Sequence, residues 1–119
     1  MNFANYSEII TDYSVKRMCK LVVKAKYYYD EAIKAMDKAD ADFYNKKITQ
    51  EAYDEVINRK HGAFEDYVIA LKFLEALFNA HDNNYLFDVH CVNEDERIYT
   101  IEDTTSGAIF FLGKYDAWV

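Results

Sequence analysis

From Val15 onward the apolar positions fall at Val15, Met18, Val22, Ala25, Tyr29, Ala32, Met36, Ala39 and Phe43, with steps that alternate between three and four residues. Such a seam is one continuous face of a helix at coiled-coil spacing. A second seam runs through Tyr53, Ile57, Lys60, Phe64, Tyr67, Leu71, Leu74 and Phe78 at the same alternation, with Lys60 its single polar entry. With no proline and only three glycines in the chain, little interrupts regular structure. The pattern predicts two long helices, the first spanning Ser14 to Ala41.

Local chemistry marks their starts. Ser14 is placed to cap the first helix, with Tyr13 packing on Met18, and Thr49 to cap the second, with Ile48 meeting Tyr53. The joint, Asp42 to Ile48, is short enough to make the helices antiparallel neighbours, an αα-hairpin. A further turn of helix is expected around Ser7 to Thr11. Gly62 costs about 1 kcal/mol relative to Ala inside a helix, yet the heptad phase runs through it unchanged, so the second helix is read as unbroken with Gly62 facing outward.

After His81 the period changes. The Asp82-Asn83-Asn84 cluster ends the helix, and Tyr85 to Val92 alternates as a strand does. Asn93 to Glu96 reads as a turn, Arg97 to Glu102 as a second strand, Asp103 to Gly107 as another turn, and Ala108 to Leu112 as a third strand. The expected fold is therefore α+β: a long antiparallel, coiled-coil-like αα-hairpin followed by a small three-stranded antiparallel β-meander. It forms one domain over residues 1–119, with the hairpin and its short leading helix in 6–81 and the meander in 85–112. Pairing Val92 with Arg97 puts Tyr85, Phe87, Val89, Cys91, Ile98 and Thr100 on the inner sheet face. Leu86, Asp88, His90, Arg97, Tyr99 and Ile101 then share the outer one.

The stretch Val68 to Phe78 is apolar nearly all round, broken only by Lys72 and Glu75, and calls for cover from several sides. The first helix supplies one side and the meander another. A helix from Ser14 to Ala41 is about 42 Å long, against about 35 Å for a compact sphere of this chain length, so the molecule is elongated or self-associates. Leu21, Tyr28 and Ala35 flank one seam and Val56, Ala63, Ala70 and Leu77 the other, which points to a homodimer with Leu21, Tyr28 and Leu77 as contact residues.

Composition narrows the function. At 51% hydrophobic and 17% aromatic, the 119 residues can bury roughly two-thirds of their unfolded surface, which argues against disorder. No apolar stretch has transmembrane length and no basic-then-apolar leader opens the sequence, so a cytoplasmic protein is expected. Two cysteines 72 positions apart, without a CxxC, encode neither a disulfide scaffold nor a zinc cluster. No glycine-rich phosphate loop, dinucleotide fingerprint or nucleophile elbow is present. His61, His81 and His90 form no metal-binding pair, and no cofactor is implied.

The best enzyme-like constellation is Asp88, His90, Tyr99 and Arg97 on the outer sheet face, a carboxylate, imidazole, phenol and guanidinium together. A flat face supplies no pocket, oriented base or oxyanion donor, so the chain is not read as an enzyme. Cys19, near Lys16 and Lys20, is either an activated thiol or a small buried hydrophobe, and the second reading has precedence.

Charge distribution says more. The chain carries 14 cations and 21 carboxylates, net −7. Between Tyr13 and Tyr29 lie five cations and no carboxylate, leaving nine cations against all 21 carboxylates elsewhere. The basic stripe needs a partner, either internal (Glu65, Asp66 or Glu75) or external. Net −7 argues against direct nucleic-acid binding. The carboxylates gather near the hairpin joint and at Glu94, Asp95, Glu96, Glu102 and Asp103 on the meander turns, giving two negative ends. Of the 11 tyrosines, Tyr27, Tyr28 and Tyr29 span about 200° of one helix. Tyr29 is expected in the core, Tyr28 beside it and Tyr27 outside.

In overall profile the chain is similar to phage-encoded inhibitors, such as anti-CRISPR and DNA-mimicking antirestriction proteins. That likeness implies a bacterial-host cytoplasm and a small acidic module that blocks a basic, nucleic-acid-handling host protein. The expected contact residues are Glu94, Asp95, Glu96, Glu102, Asp103, Asp88, His90, Tyr99 and Tyr27. The alternative is a structural or assembly protein built on a self-associating hairpin, with no membrane partner in either case.

Overall fold

A computed structural model describes residues 13–79 and 84–115. Two long helices, α1 (Tyr13–Tyr44) and α2 (Gln50–Asn79), pack antiparallel along their seams. They are followed by strands β1 (Phe87–Asn93), β2 (Ile98–Asp103) and β3 (Ile109–Lys114), which form one antiparallel sheet in the order β1-β2-β3. The expected leading helix around Ser7 to Thr11 and the expected stop at His81, Asp82 and Asn83 lie outside the described residues. The molecule is elongated, 54 × 27 × 24 Å. Its radius of gyration is 16.6 Å, against roughly 13.5 Å for a compact chain of this length.

Both helix boundaries nearest the joint are set by specific hydrogen bonds. Thr49 caps α2: its Oγ1 accepts from Ala52 N at 3.1 Å, and its carbonyl accepts from Tyr53 N at 3.0 Å. α1 runs three residues past its expected end at Ala41. It closes with Lys47 N donating to Asp42 O (2.7 Å) and Lys46 N to Phe43 O (3.0 Å), with Lys46 in the left-handed region at φ 59°. That is a Schellman closure in which a lysine occupies the place usually taken by glycine. At the other end α1 is already helical at Tyr13, so Ser14, expected at the cap position, lies within the helix. α2 passes through Gly62 unbroken, and Gly62 is exposed.

The core occupies only one half of the hairpin. Val15, Cys19, Val22 and Val23 of α1 and Tyr67, Leu74 and Phe78 of α2 are buried together with Phe87, Val89, Tyr99, Ile101, Phe110 and Phe111 of the sheet. Phe78 is the hub. Its ring lies 5.0 to 5.8 Å from those of Phe87, Phe110 and Tyr85, in edge-to-face geometry throughout. Beyond the sheet, the hairpin continues alone on small seam residues, Ala32 and Ala39, and ends on a Phe43–Tyr53 ring contact at 4.5 Å. The first helix and the sheet both cover the Val68 to Phe78 stretch, but its remaining side is open, where Ile69 and Phe73 are exposed.

The strands lie one to two residues from their expected positions, and the register corrects the expected faces of β2. Val89 stands opposite Ile101 and Cys91 opposite Tyr99, while Val92 is extruded as a bulge between Cys91 and Asn93. The turn that follows holds Arg97 at φ 52°. One inserted residue turns a strand over. Tyr99 and Ile101 therefore face the core, and Ile98 and Thr100 lie on the opposite face, where Thr100 is still buried.

Candidate interaction surfaces

That register disassembles the expected quartet on the outer sheet face. Tyr99 is 2% exposed and its phenol titrates above the ordinary range, chiefly because it is buried, with Cys91 beside it. Arg97 sits in the turn with its guanidinium 5.5 Å from the centre of the Tyr27 ring. Asp88 and His90 do share the outer face, His90 Nε2 lying 3.5 Å from Asp88 Oδ2, with Glu102 and Thr100 as their cross-strand partners. Tyr99, expected as a partner-contact residue, is thus a core residue.

Asp88 is engaged by a residue the sequence placed only in the core. The Tyr67 hydroxyl donates to Asp88 Oδ1 (3.1 Å) and accepts from Val89 N (3.2 Å), which also donates to Asp88 Oδ1 at 2.9 Å. Burial, then the neighbouring Asp88 charge, pushes the Tyr67 phenol well above its usual range. One strand position away, Phe87 N donates to Glu75 Oε1 at 3.1 Å. Two amides of the β1 edge, Phe87 and Val89, are therefore closed by side chains of α2, which blunts the first half of that edge as a template for strand addition. A carboxylate in an otherwise apolar helical run, as Glu75 is, was the sequence signal for this seal; Tyr67, at a seam position, carried none. Tyr67→Phe should cost about 1 kcal/mol, read by urea unfolding, and an unchanged midpoint would show that the hydroxyl contributes nothing.

Beside this seal lies a shallow hollow of about 320 Å³, lined by Lys26, Asp30, Lys34, His90, Cys91 and Glu94. Its charges satisfy one another. Lys26 Nζ is 3.0 Å from Asp30 and 5.4 Å from both the Tyr29 and Tyr67 ring centres, and Lys34 reaches Glu94 (3.4 Å) and Glu31 (3.5 Å). Cys19, 1% exposed, has its thiol pushed up to about 12 by burial, the opposite of activation. Among the described residues, no group of three or more His, Cys, Asp or Glu could hold a metal ion, and no helix is long and apolar enough to cross a membrane.

The acidic residues of the meander are split between two ends. Glu94, Asp95 and Glu96 occupy the β1–β2 turn, where Glu94 pairs with Lys34 and Glu96 with Lys114 (3.9 Å). Asp95 has no ion pair among the described residues. Glu102 and Asp103 lie at the opposite end of β2. Asp103 is 1% exposed, accepting from Leu86 N (3.1 Å), Thr105 Oγ1 (2.8 Å), Ser106 Oγ (2.6 Å) and Thr105 N (3.4 Å). It is a turn-forming residue with no surface to offer. Because Glu94 reaches Lys34, the first meander turn lies against the middle of α1. Of the expected internal partners of the basic stripe, Glu75 serves the β1 edge, and among the described residues no ion pair joins Lys20 or Lys24 to Glu65 or Asp66.

Tyr27 and Tyr28 exchange their expected places. Tyr27 is half-buried and stacks on Tyr115 at 4.9 Å because the sheet covers that flank of α1, whereas Tyr28 is exposed on the other flank with Leu21. Leu77 is half-buried. On the sheet itself Leu86 and Ile109 are exposed toward the Asp88 and Glu102 end, and Val92 at the other end beside the first turn. No protein-family model, curated protein or solved structure matches the chain.

Proposed function

We propose that this chain is a small protein-binding module that holds a basic, nucleic-acid-handling partner against the outer face and first turn of its meander, and so inhibits it. One observation carries the reading. Exposed apolar side chains, Leu86, Val92 and Ile109, stand among the carboxylates Asp88, Glu102, Glu94 and Asp95 on a sheet whose edge strand β1 already has its Phe87 and Val89 amides bonded to α2. An apolar patch with a charged rim is the usual anatomy of a protein interface, and acidic rims speed capture of basic partners. His90, half-exposed beside Asp88, belongs to the same surface. A phage-type inhibitor acting in a host cytoplasm is the setting in which such a module works.

The immobilised protein is expected to retain from host lysate a basic partner that short duplex DNA displaces and that elutes as salt rises from about 50 to 200 mM. Reversing Glu94, Asp95 and Glu96 together to Lys should cut retention at least tenfold while circular dichroism shows the same fold. Retention that survives the triple reversal, or a captured protein indifferent to DNA, sinks the proposal.

A further inference from the structure

The meander covers one flank of the hairpin and leaves the other open. There Leu21 and Tyr28 of α1 and Phe73 of α2 are 45%, 55% and 64% exposed. Between the helices on that flank runs a groove of about 530 Å³ floored by Ala25, Gly62 and Ala63. A Cβ added at Gly62 would meet nothing within 4 Å, so the groove has room for a side chain from outside.

The charges along this flank identify the occupant. On α1 a second stripe at heptad spacing passes from Arg17 through Leu21, Lys24, Tyr28 and Glu31 to Asp42. Two of its three cations, Arg17 and Lys24, precede the midpoint of the 32-residue helix, and both carboxylates, Glu31 and Asp42, follow it with Lys38 between them, so the stripe is net positive in its first half and net negative in its second. Arg17, Lys24 and Asp42 have no ion pair among the described residues, and Glu31 has only the exposed contact with Lys34 at 3.5 Å. A sequence that is positive in its first half and negative in its second complements itself when two copies run antiparallel.

We infer that the protein forms a two-fold antiparallel dimer through this flank, α1 against α1 of a second copy. Pairing about a point one residue beyond the helix midpoint sets Arg17 against Asp42 of the second copy and Lys24 about one turn from its Glu31. The two Tyr28 rings meet near the axis over the small-residue grooves. Lys38, the cation in the second half of the stripe, falls opposite Leu21, where its methylene stem lies on apolar surface. The helix is about 48 Å long, and a face two helices wide offers on the order of 800 Å², the usual share of one partner in a stable interface. This face is separate from the outer sheet face, so the dimer and partner capture fail or survive independently.

Sedimentation equilibrium of the full chain should give twice 14.0 kDa at micromolar concentration, with dissociation strengthened by salt. Tyr28→Asp combined with Leu21→Asp should yield a monomer with an unchanged circular dichroism spectrum. Two charge variants test the arrangement itself. Arg17→Asp with Lys24→Glu, and Glu31→Lys with Asp42→Lys, should each weaken self-association at least tenfold, and mixing them should restore an equimolar dimer. A wild-type monomer at about 200 μM, a dimer that tolerates Tyr28→Asp with Leu21→Asp, or folded charge variants that fail to pair when mixed would each overturn the inference.

Discussion

Phe78→Ala is expected to remove about 3 to 5 kcal/mol of stability, read as a lowered midpoint in urea unfolding followed by circular dichroism. Phe78 is fully buried and is the side chain through which α2 holds the sheet, with the rings of Tyr85, Phe87 and Phe110 arranged edge-on around it. Truncation leaves a cavity that three large rings cannot fill without leaving their rotamers, so the lost transfer free energy and the cavity term add. A domain of this size has only about 5 to 15 kcal/mol in total, and the variant stands near the folding threshold. Phe78→Leu keeps most of the volume and should cost about 1 to 2 kcal/mol. A loss below about 2 kcal/mol for the alanine variant would mean that the sheet is anchored elsewhere.

The helices were legible because two signals agreed over their whole length. The three-four alternation of apolar residues gave the facing seams, Thr49 gave a start that the structure realises with a cap, and the unbroken phase across Gly62 overrode that residue's low helix propensity. Where α1 ends was not legible, because its closure places Lys46 in a left-handed conformation for which the sequence offers no glycine or asparagine marker. The same difficulty recurs in the sheet. Strand count, order and turns follow from the alternation, but the face of β2 depends on the bulge at Val92 and the positive φ of Arg97, and neither residue type announces such a conformation.

That single register error moved the candidate site. It put Tyr99 on the surface, and so built a four-residue constellation that the fold takes apart. The charge clusters fared differently, because sequence shows where carboxylates are but not which of them the fold consumes. Asp103 serves a turn and Glu75 a strand edge, and Asp88 gives one oxygen to Tyr67 while its side chain stays half-exposed. Glu94, Asp95, Glu96 and Glu102 are what the meander still presents outward. The tyrosine triplet shows the same limit: helical geometry fixes that one of three must face out, and the position of the sheet decides which.

Asp103→Ala should cost about 2 to 4 kcal/mol at pH 7, from the loss of charge-assisted hydrogen bonds in a buried turn. Burial opposes ionisation of this carboxyl, but donation from Ser106, Leu86 and Thr105 outweighs it and holds the group below the usual carboxylate range. A folded-state pKa below the unfolded value of about 3.9 means that the stabilisation is fully present above that pH and disappears as pH falls through the folded value. Urea unfolding of wild type and variant at pH 7, 5, 4 and 3 should therefore give a gap that is constant down to about pH 5 and narrows below pH 4. Asp103→Asn keeps one acceptor oxygen without the charge and should lie between the two. The same carboxylate ties Leu86 to the β2–β3 turn, which closes with Gly107 N donating to Asp103 O at 2.8 Å. Its removal should accordingly speed amide exchange at Leu86, Thr105 and Gly107 before it affects α1. A gap below 1 kcal/mol at pH 7, or one that does not narrow in acid, would show that the buried carboxylate is not what holds the turn.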